Sequence, residues 1–132
     1  MKPSPLTRST PLRRRQKFNA KPVHDMATGR SFDSTEEYKR WNALQILERA
    51  GEIADLVFKP PAVVLDALAG IKWRIDFRYT EKGRTVWEDC KPRPMTPAER
   101  IKVKLWMAYG PGPLRITGRG GKLMREINGR RA

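Results

Sequence analysis

Asp76, Asp89 and Lys91 are the residues of this chain whose types and spacing fit phosphodiester chemistry. "GIKWRIDFRY" alternates, with Trp73, Ile75, Phe77 and Tyr79 on one face and Lys72, Arg74, Asp76 and Arg78 on the other. "TEKGR" reads as a turn and "TVWEDCK" as the next strand, so residues 71–91 are expected to form a β-hairpin. The same alternation places Asp89 and Lys91 on one face and Glu88 on the other, where it reads as a supporting or solvent-facing acid. Pairing through the short turn brings Asp76 toward Asp89. Two carboxylates beside a lysine suit Mg²⁺ or Mn²⁺, since Mg²⁺ takes one or two carboxylates, waters and phosphate oxygens. Such a cation polarises a phosphodiester and acidifies a bound water, while a lysine orients that water or steadies developing charge.

Each of these residues also has a purely structural explanation. Glu37 stands three residues after Ser34, a capping-box pattern, and is as well placed to cap as to catalyse. Asp76 can pair with Arg74 or Arg78, and Asp89 with Lys91 as a plain charge pair. Cys90 reads as a small packed side chain, because no catalytic partner is in view. Trp87 shares the parity of Asp89 and can either pack or stack on an unpaired base. His24 reads as a loop residue.

The elements that must position the acids are legible in outline. Tyr38, Trp41, Leu44, Leu47 and Ala50 recur at helical spacing between Ser34 and the stop at Gly51, which predicts a helix over about 34–50. "IADLVFKPP" and "AVVLDAL" read as short strands separated by Pro60-Pro61. Thr96 can cap a helix with Pro97 at its first position and an apolar stripe at Ile101, Leu105 and Ala108. "LRIT" is a final strand, and a basic tail follows, partly helical around Leu123 to Ile127. The order predicts a mixed α/β domain.

The formal charge is +14. Residues 1–22 carry seven basic groups and no acid, and residues 115–132 carry six against Glu126, so the body is nearly neutral. Basic ends on a neutral body point to a polyanionic partner. A single cysteine and a single histidine exclude an internal disulfide, a multi-cysteine zinc site and a His-rich metal site. No apolar run approaches the roughly 18 residues of a membrane span, and the start shows no signal-peptide pattern. The expectation is a cytoplasmic protein without a membrane partner.

Asp76, then Asp89-Cys90-Lys91, with Glu37 upstream, resembles the motif of the PD-(D/E)xK nuclease superfamily. More narrowly, "FDSTEEYKRW", "LERAGEIADL", "IDFRY" and "VWEDCKP" resemble an uncharacterised family of small phage-encoded endonuclease-like proteins, over about residues 31–117. The departures are Ile75 for the superfamily's nominal proline, Phe58-Lys59-Pro60 for the phage family's Gln-Pro, and Pro92 for a common glycine. The resemblance implies a restriction-endonuclease-like αβββαβ core, a central mixed sheet flanked by helices, over residues 23–117. A basic disordered arm (1–22) and a basic tail (118–132) would lie outside it. It also implies Asp76, Asp89 and the Cys90 carbonyl as ligands of Mg²⁺ or Mn²⁺, Lys91 as the catalytic lysine and Glu37 as an accessory acid.

DNA would be held by Arg13, Arg14, Arg15, Lys17, Lys102, Lys104, Arg119 and Lys122. The implied activity is a metal-dependent endodeoxyribonuclease in a phage-infected host cytoplasm, acting in recombination, replication or packaging. Branched or Holliday-junction DNA is the analogous substrate and a homodimer the analogous assembly. The alternative is a non-catalytic DNA-binding or architectural protein on the same fold.

Overall fold

Among the described residues, two hydroxyl side chains start the two α-helices. In the computed structural model, which describes residues 22–26 and 28–130, helix α1 spans Thr35–Arg49 and helix α2 spans Pro97–Tyr109. Ser34 Oγ accepts the Glu37 amide at 3.1 Å, as the sequence predicts. Gly51, with φ of 81°, then supplies the left-handed turn that ends α1. Before α2, Thr96 and Glu99 form a complete reciprocal capping box, with Pro97 where no amide partner is needed.

The strands are β1 (Val23–Asp25), β2 (Arg30–Phe32), β3 (Ala54–Phe58), β4 (Val63–Asp66), β5 (Ile71–Trp73), β6 (Phe77–Glu81), β7 (Arg84–Cys90), β8 (Leu114–Thr117) and β9 (Leu123–Ile127). Five of them form a mixed sheet in the order β3-β6-β7-β8-β9. Its pairings are antiparallel except β7 with β8, which run parallel and are joined by the α2 crossover. Strands β1–β2 and β4–β5 form separate two-stranded hairpins. The expected mixed α/β class is therefore what the chain adopts.

The sheet separates two apolar clusters. On one face Trp41 and Leu44 of α1 meet Phe32, Phe77, Tyr79 and Val86. On the other Val103 and Trp106 of α2 meet Leu65, Trp73, Ile75, Leu114 and Ile116. Trp106 is fully buried and donates its ring N–H to Gly112 O at 2.8 Å, so its polar edge is satisfied. Gly110 must be glycine beside it, because a Cβ there would stand 2.6 Å from the Trp106 ring.

Three sequence expectations are corrected. Residues 71–91 are not one hairpin: β5 pairs back onto β4, the chain leaves the ladder at 74–76, and β6 pairs with β7. The alternating apolar residues all stay buried, but Trp73 and Ile75 enter the α2-side cluster while Phe77 and Tyr79 enter the α1-side cluster. Leu123 to Ile127 is not helical. It is the edge strand β9, whose Ile127 lies opposite Leu114 and is buried, while Glu126 pairs with Arg115 at 2.9 Å. His24 is in strand β1 rather than a loop, its ring nitrogen 3.0 Å from Ser31 Oγ on β2. Among the described residues no helix is long and apolar enough to cross a membrane.

Candidate active site

The break at 74–76 sets Asp76 against the end of β7. Its carbonyl accepts the Lys59 amide at 2.7 Å, its own amide donates to Asp89 Oδ1 at 3.2 Å, and its Oδ2 accepts the Cys90 amide at 2.8 Å. The two acids are thus clasped reciprocally, each carboxylate on a backbone amide beside the other. This is a tighter arrangement than simple cross-strand pairing. The salt bridge of Asp76 with Arg74 or Arg78, considered from sequence, is not formed.

Asp89 is 2% exposed. Its Oδ2 lies 2.9 Å from Lys91 Nζ as an ion pair, yet this buried oxygen accepts no well-aligned hydrogen bond among the described residues. A buried carboxylate oxygen without an aligned donor keeps unused acceptor capacity, which calls for an explanation. Glu37 is buried too, and its Oε1 accepts the Asp33 amide at 2.9 Å. It therefore caps α1 one residue upstream of the usual box.

Burial pushes the Asp76 carboxyl well above the usual carboxylate range, and the Asp89 charge and a hydrogen bond with the Glu37 carboxylate push it further. Glu37, Asp76 and Asp89 thus crowd together, and Glu37 caps a helix while meeting Asp76. Burial, followed by the charges of Asp76 and Asp89, likewise raises the Cys90 thiol to about 12, so it is no nucleophile.

Lys91 bridges Asp89 and a residue that sequence reasoning missed. Its Nζ lies 3.0 Å from Glu99 Oε2 at the start of α2. Burial alone would lower its pKa, but the two carboxylates more than offset that and hold it above its usual value, so it stays an ammonium. Glu99 in turn accepts from Arg93 at 3.0 Å and from the Thr96 amide at 2.9 Å. Burial opposes its ionisation, but Arg93, Thr96 and Lys91 prevail and lower it to about 2. The "TPAE" capping signature was the available sign that Glu99 would sit here.

These shifts set a pH profile for the cation-free protein. Glu99, lowered when folded, contributes stability above its unfolded value that is lost as pH falls toward about 2. Asp76, raised when folded, contributes stability at low pH that is lost as pH rises through its folded value. Thermal melting across pH with chelator should therefore peak on the acid side of neutrality.

Of the two readings of Glu88, the solvent-facing one is overturned. It points to the opposite face, as alternation predicts, but that face is buried: Glu88 is 0% exposed. Arg40 of α1 grips it with two hydrogen bonds, Tyr79 Oη donates to it at 2.7 Å, and Thr117 Oγ1 lies at 3.3 Å. The adjacent acids therefore have separate partners, Glu88 tying β7 to α1 and Asp89 facing Asp76 and Lys91. Trp87 packs edge-on against Trp106 with centroids 5.7 Å apart, which favours packing over base stacking.

Beside Asp76 a cavity of about 520 Å³ opens between the Lys59–Ala62 linker and Arg74–Asp76. Of the remaining expected DNA contacts, Lys102 on α2 is half-buried, and Lys104, Arg119 and Lys122 are exposed. Arg119 begins a short turn docked on α1 through the Gly120 amide and Glu36 at 3.0 Å. Arg13, Arg14, Arg15 and Lys17 lie outside the described residues.

Among the described residues no group of three or more His, Cys, Asp and Glu side chains is arranged to hold a metal ion as it stands. The donor set that does converge is two carboxylates, which suits Mg²⁺ completed by water and phosphate oxygens. Comparison with protein-family models, curated proteins and solved structures finds no match.

Proposed function

We propose that this chain is a divalent-cation-dependent endodeoxyribonuclease of PD-(D/E)xK type. The observation that carries this is the reciprocal clasp of Asp76 and Asp89 with Lys91 against the buried, under-bonded Asp89 Oδ2. The order α1, β3, β6, β7, α2, β8, with a parallel β7–β8 pair, supports an αβββαβ core into which the β4–β5 hairpin is inserted.

Mg²⁺ or Mn²⁺ held by Asp76 and Asp89, with the Cys90 carbonyl as a further donor, would supply charge neutralisation and a more acidic water. The protein's own part is positional. Glu37 and the Cys90 amide fix the Asp76 carboxyl, and Glu99 keeps the Lys91 ammonium charged at the site edge, ready for phosphate charge. The Lys- and Arg-rich residues 1–22, with Arg119 and Lys122, hold the DNA backbone, offsetting the repulsion from the acids. Branched DNA in phage recombination, replication or packaging is the biological setting, with a homodimer as the working unit.

A second reading is a non-catalytic DNA-binding protein on the same fold. It is favoured by Lys91 already neutralising Asp89 and by the absence, among the described residues, of a ready three-ligand group. Incubation with plasmid, flap and four-way-junction DNA separates the two. A nuclease cuts with Mg²⁺ or Mn²⁺, stops with chelator and loses cutting in Asp89→Asn. A binder retards the same DNA and leaves it intact.

Either way, deleting residues 1–22 should weaken duplex binding and flatten its salt dependence by about 0.9 in log–log slope for each phosphate no longer engaged. Affinity measured across a salt series checks this, and an unchanged slope excludes the arm as a phosphate binder.

A further inference from the structure

We infer that the cavity beside Asp76 is a subsite for one unpaired nucleotide flanking the phosphate to be cut, an inference that rests on the nuclease proposal. At about 520 Å³ it is within the range of small-ligand pockets and large enough for a base and sugar. Its wall is divided by chemistry. Pro60, Pro61 and Ala62 give an apolar surface against which a ring can lie, Lys59 and Arg74 add two cations, and Asp33 adds a carboxylate at the rim. Asp76 belongs to the same wall, so a phosphate lying over Asp76 leaves its neighbouring nucleotide at this opening.

The backbone is shaped for this placement. Lys59 adopts a left-handed φ of 52°, unusual for a side chain with a Cβ, and its amide is tied to the Asp76 carbonyl at 2.7 Å. The following Pro60-Pro61 stiffens the linker in its course past Asp76. The Lys59 ammonium lies 5.2 Å from the Phe58 ring centroid and has a loose surface ion pair with Asp33 at 3.7 Å, whose own side chain is 84% exposed. An exposed pair of that kind contributes little and gives way readily to a phosphate. Strands with an unpaired stretch, including single-stranded DNA, frayed ends and junction arms, can offer a base to it, whereas a closed duplex keeps its bases stacked and paired inside the helix.

The test is anisotropy of labelled oligothymidylate and of a blunt duplex, in chelator, with full-length wild type, Ala62→Trp and the double variant Lys59→Gln/Arg74→Gln. Ala62→Trp fills the cavity without changing charge. It should weaken oligothymidylate binding roughly tenfold, the scale of losing about 50 Å² of apolar contact, and leave duplex binding unchanged. The double variant should lower the single-strand salt slope by about 0.7 for each phosphate no longer engaged. If melting shows that Ala62→Trp is unfolded, the double variant decides alone. Wild-type single-strand affinity and salt slope in the folded variants would overturn the subsite. Because no cleavage is measured, a failed subsite leaves the nuclease proposal standing, and a protein that shows these losses yet cuts no DNA sinks the nuclease proposal and leaves a single-strand-binding pocket without a cleavage role.

Discussion

Asp76→Asn is expected to melt higher than the wild type in chelator and to cut no DNA. Asp76 sits among buried acids, with its carboxyl raised first by burial, then by the Asp89 charge and the Glu37 contact. At neutral pH its ionisation costs stability. Asparagine keeps an oxygen to accept the Cys90 amide, offers its NH₂ to Glu37 and removes the charge. A gain of a few degrees, on the scale expected for about 1 kcal/mol in a domain of this size, should appear by calorimetry. Over the same pH range the loss of stability on raising pH should flatten, since the group responsible is gone. Cleavage should fall by at least about a hundredfold, because the charge that would hold a cation against phosphate is lost. A variant that is more stable and inactive is the signature of a residue kept for chemistry at the expense of the fold. An Asp76→Asn protein that melts lower would show that the carboxylate is structural.

The largest stability effect is expected at Arg40. Arg40→Leu leaves Glu88 fully buried, with Tyr79 and Thr117 as neutral hydrogen-bond partners and no cation in contact. Breaking a buried pair from one side typically costs about 3–5 kcal/mol, much of it the uncompensated charge. Urea unfolding should therefore show a large drop in midpoint. Adding Glu88→Gln to Arg40→Leu should recover a substantial part of the loss, because a neutral amide replaces the stranded charge. If the double variant is no better than Arg40→Leu, the cost lies in packing on α1 rather than in charge. Since Glu88 precedes Asp89 on β7, the single variant should also loosen the acid clasp and lower cleavage.

Local rules carried the parts of this structure that local rules determine. Ser34, Gly51, Thr96 and Pro97 bound the two helices because caps and stops act over one turn. The parity of Asp89 against Glu88 held because β7 runs unbroken from Arg84 to Cys90.

What alternation could not reveal is the switch at 74–76. The period-two pattern continues in phase through Arg74, Ile75 and Asp76, yet the apolar residues before and after serve cores on opposite faces of the sheet. That break turns a mid-strand acid into one clasped at a strand end. Glu99 and Arg40 were missed for another reason. Their roles depend on partners eight and forty-eight positions away, Lys91 and Glu88, and spacing along one element carries no such information. Strand β9 escaped notice because its flanks are rich in Gly, Arg and Lys, and only pairing with β8 gives its few apolar residues a face to bury. Alternation left Glu88 open between a supporting and a solvent-facing acid, since a charged side chain is seldom fully buried unless paired and its partner Arg40 was the hidden piece.

The nuclease proposal stands or falls on whether Asp76 and Asp89 take up a divalent cation. Titrating Mn²⁺ into the full-length protein and following its free concentration by electron paramagnetic resonance measures this without DNA or cleavage. Wild type should bind one Mn²⁺ per chain, displaced by Mg²⁺, and both Asp76→Asn and Asp89→Asn should lose that site. Wild type that binds no Mn²⁺ at millimolar concentration, or variants that bind it unchanged, would contradict the assignment.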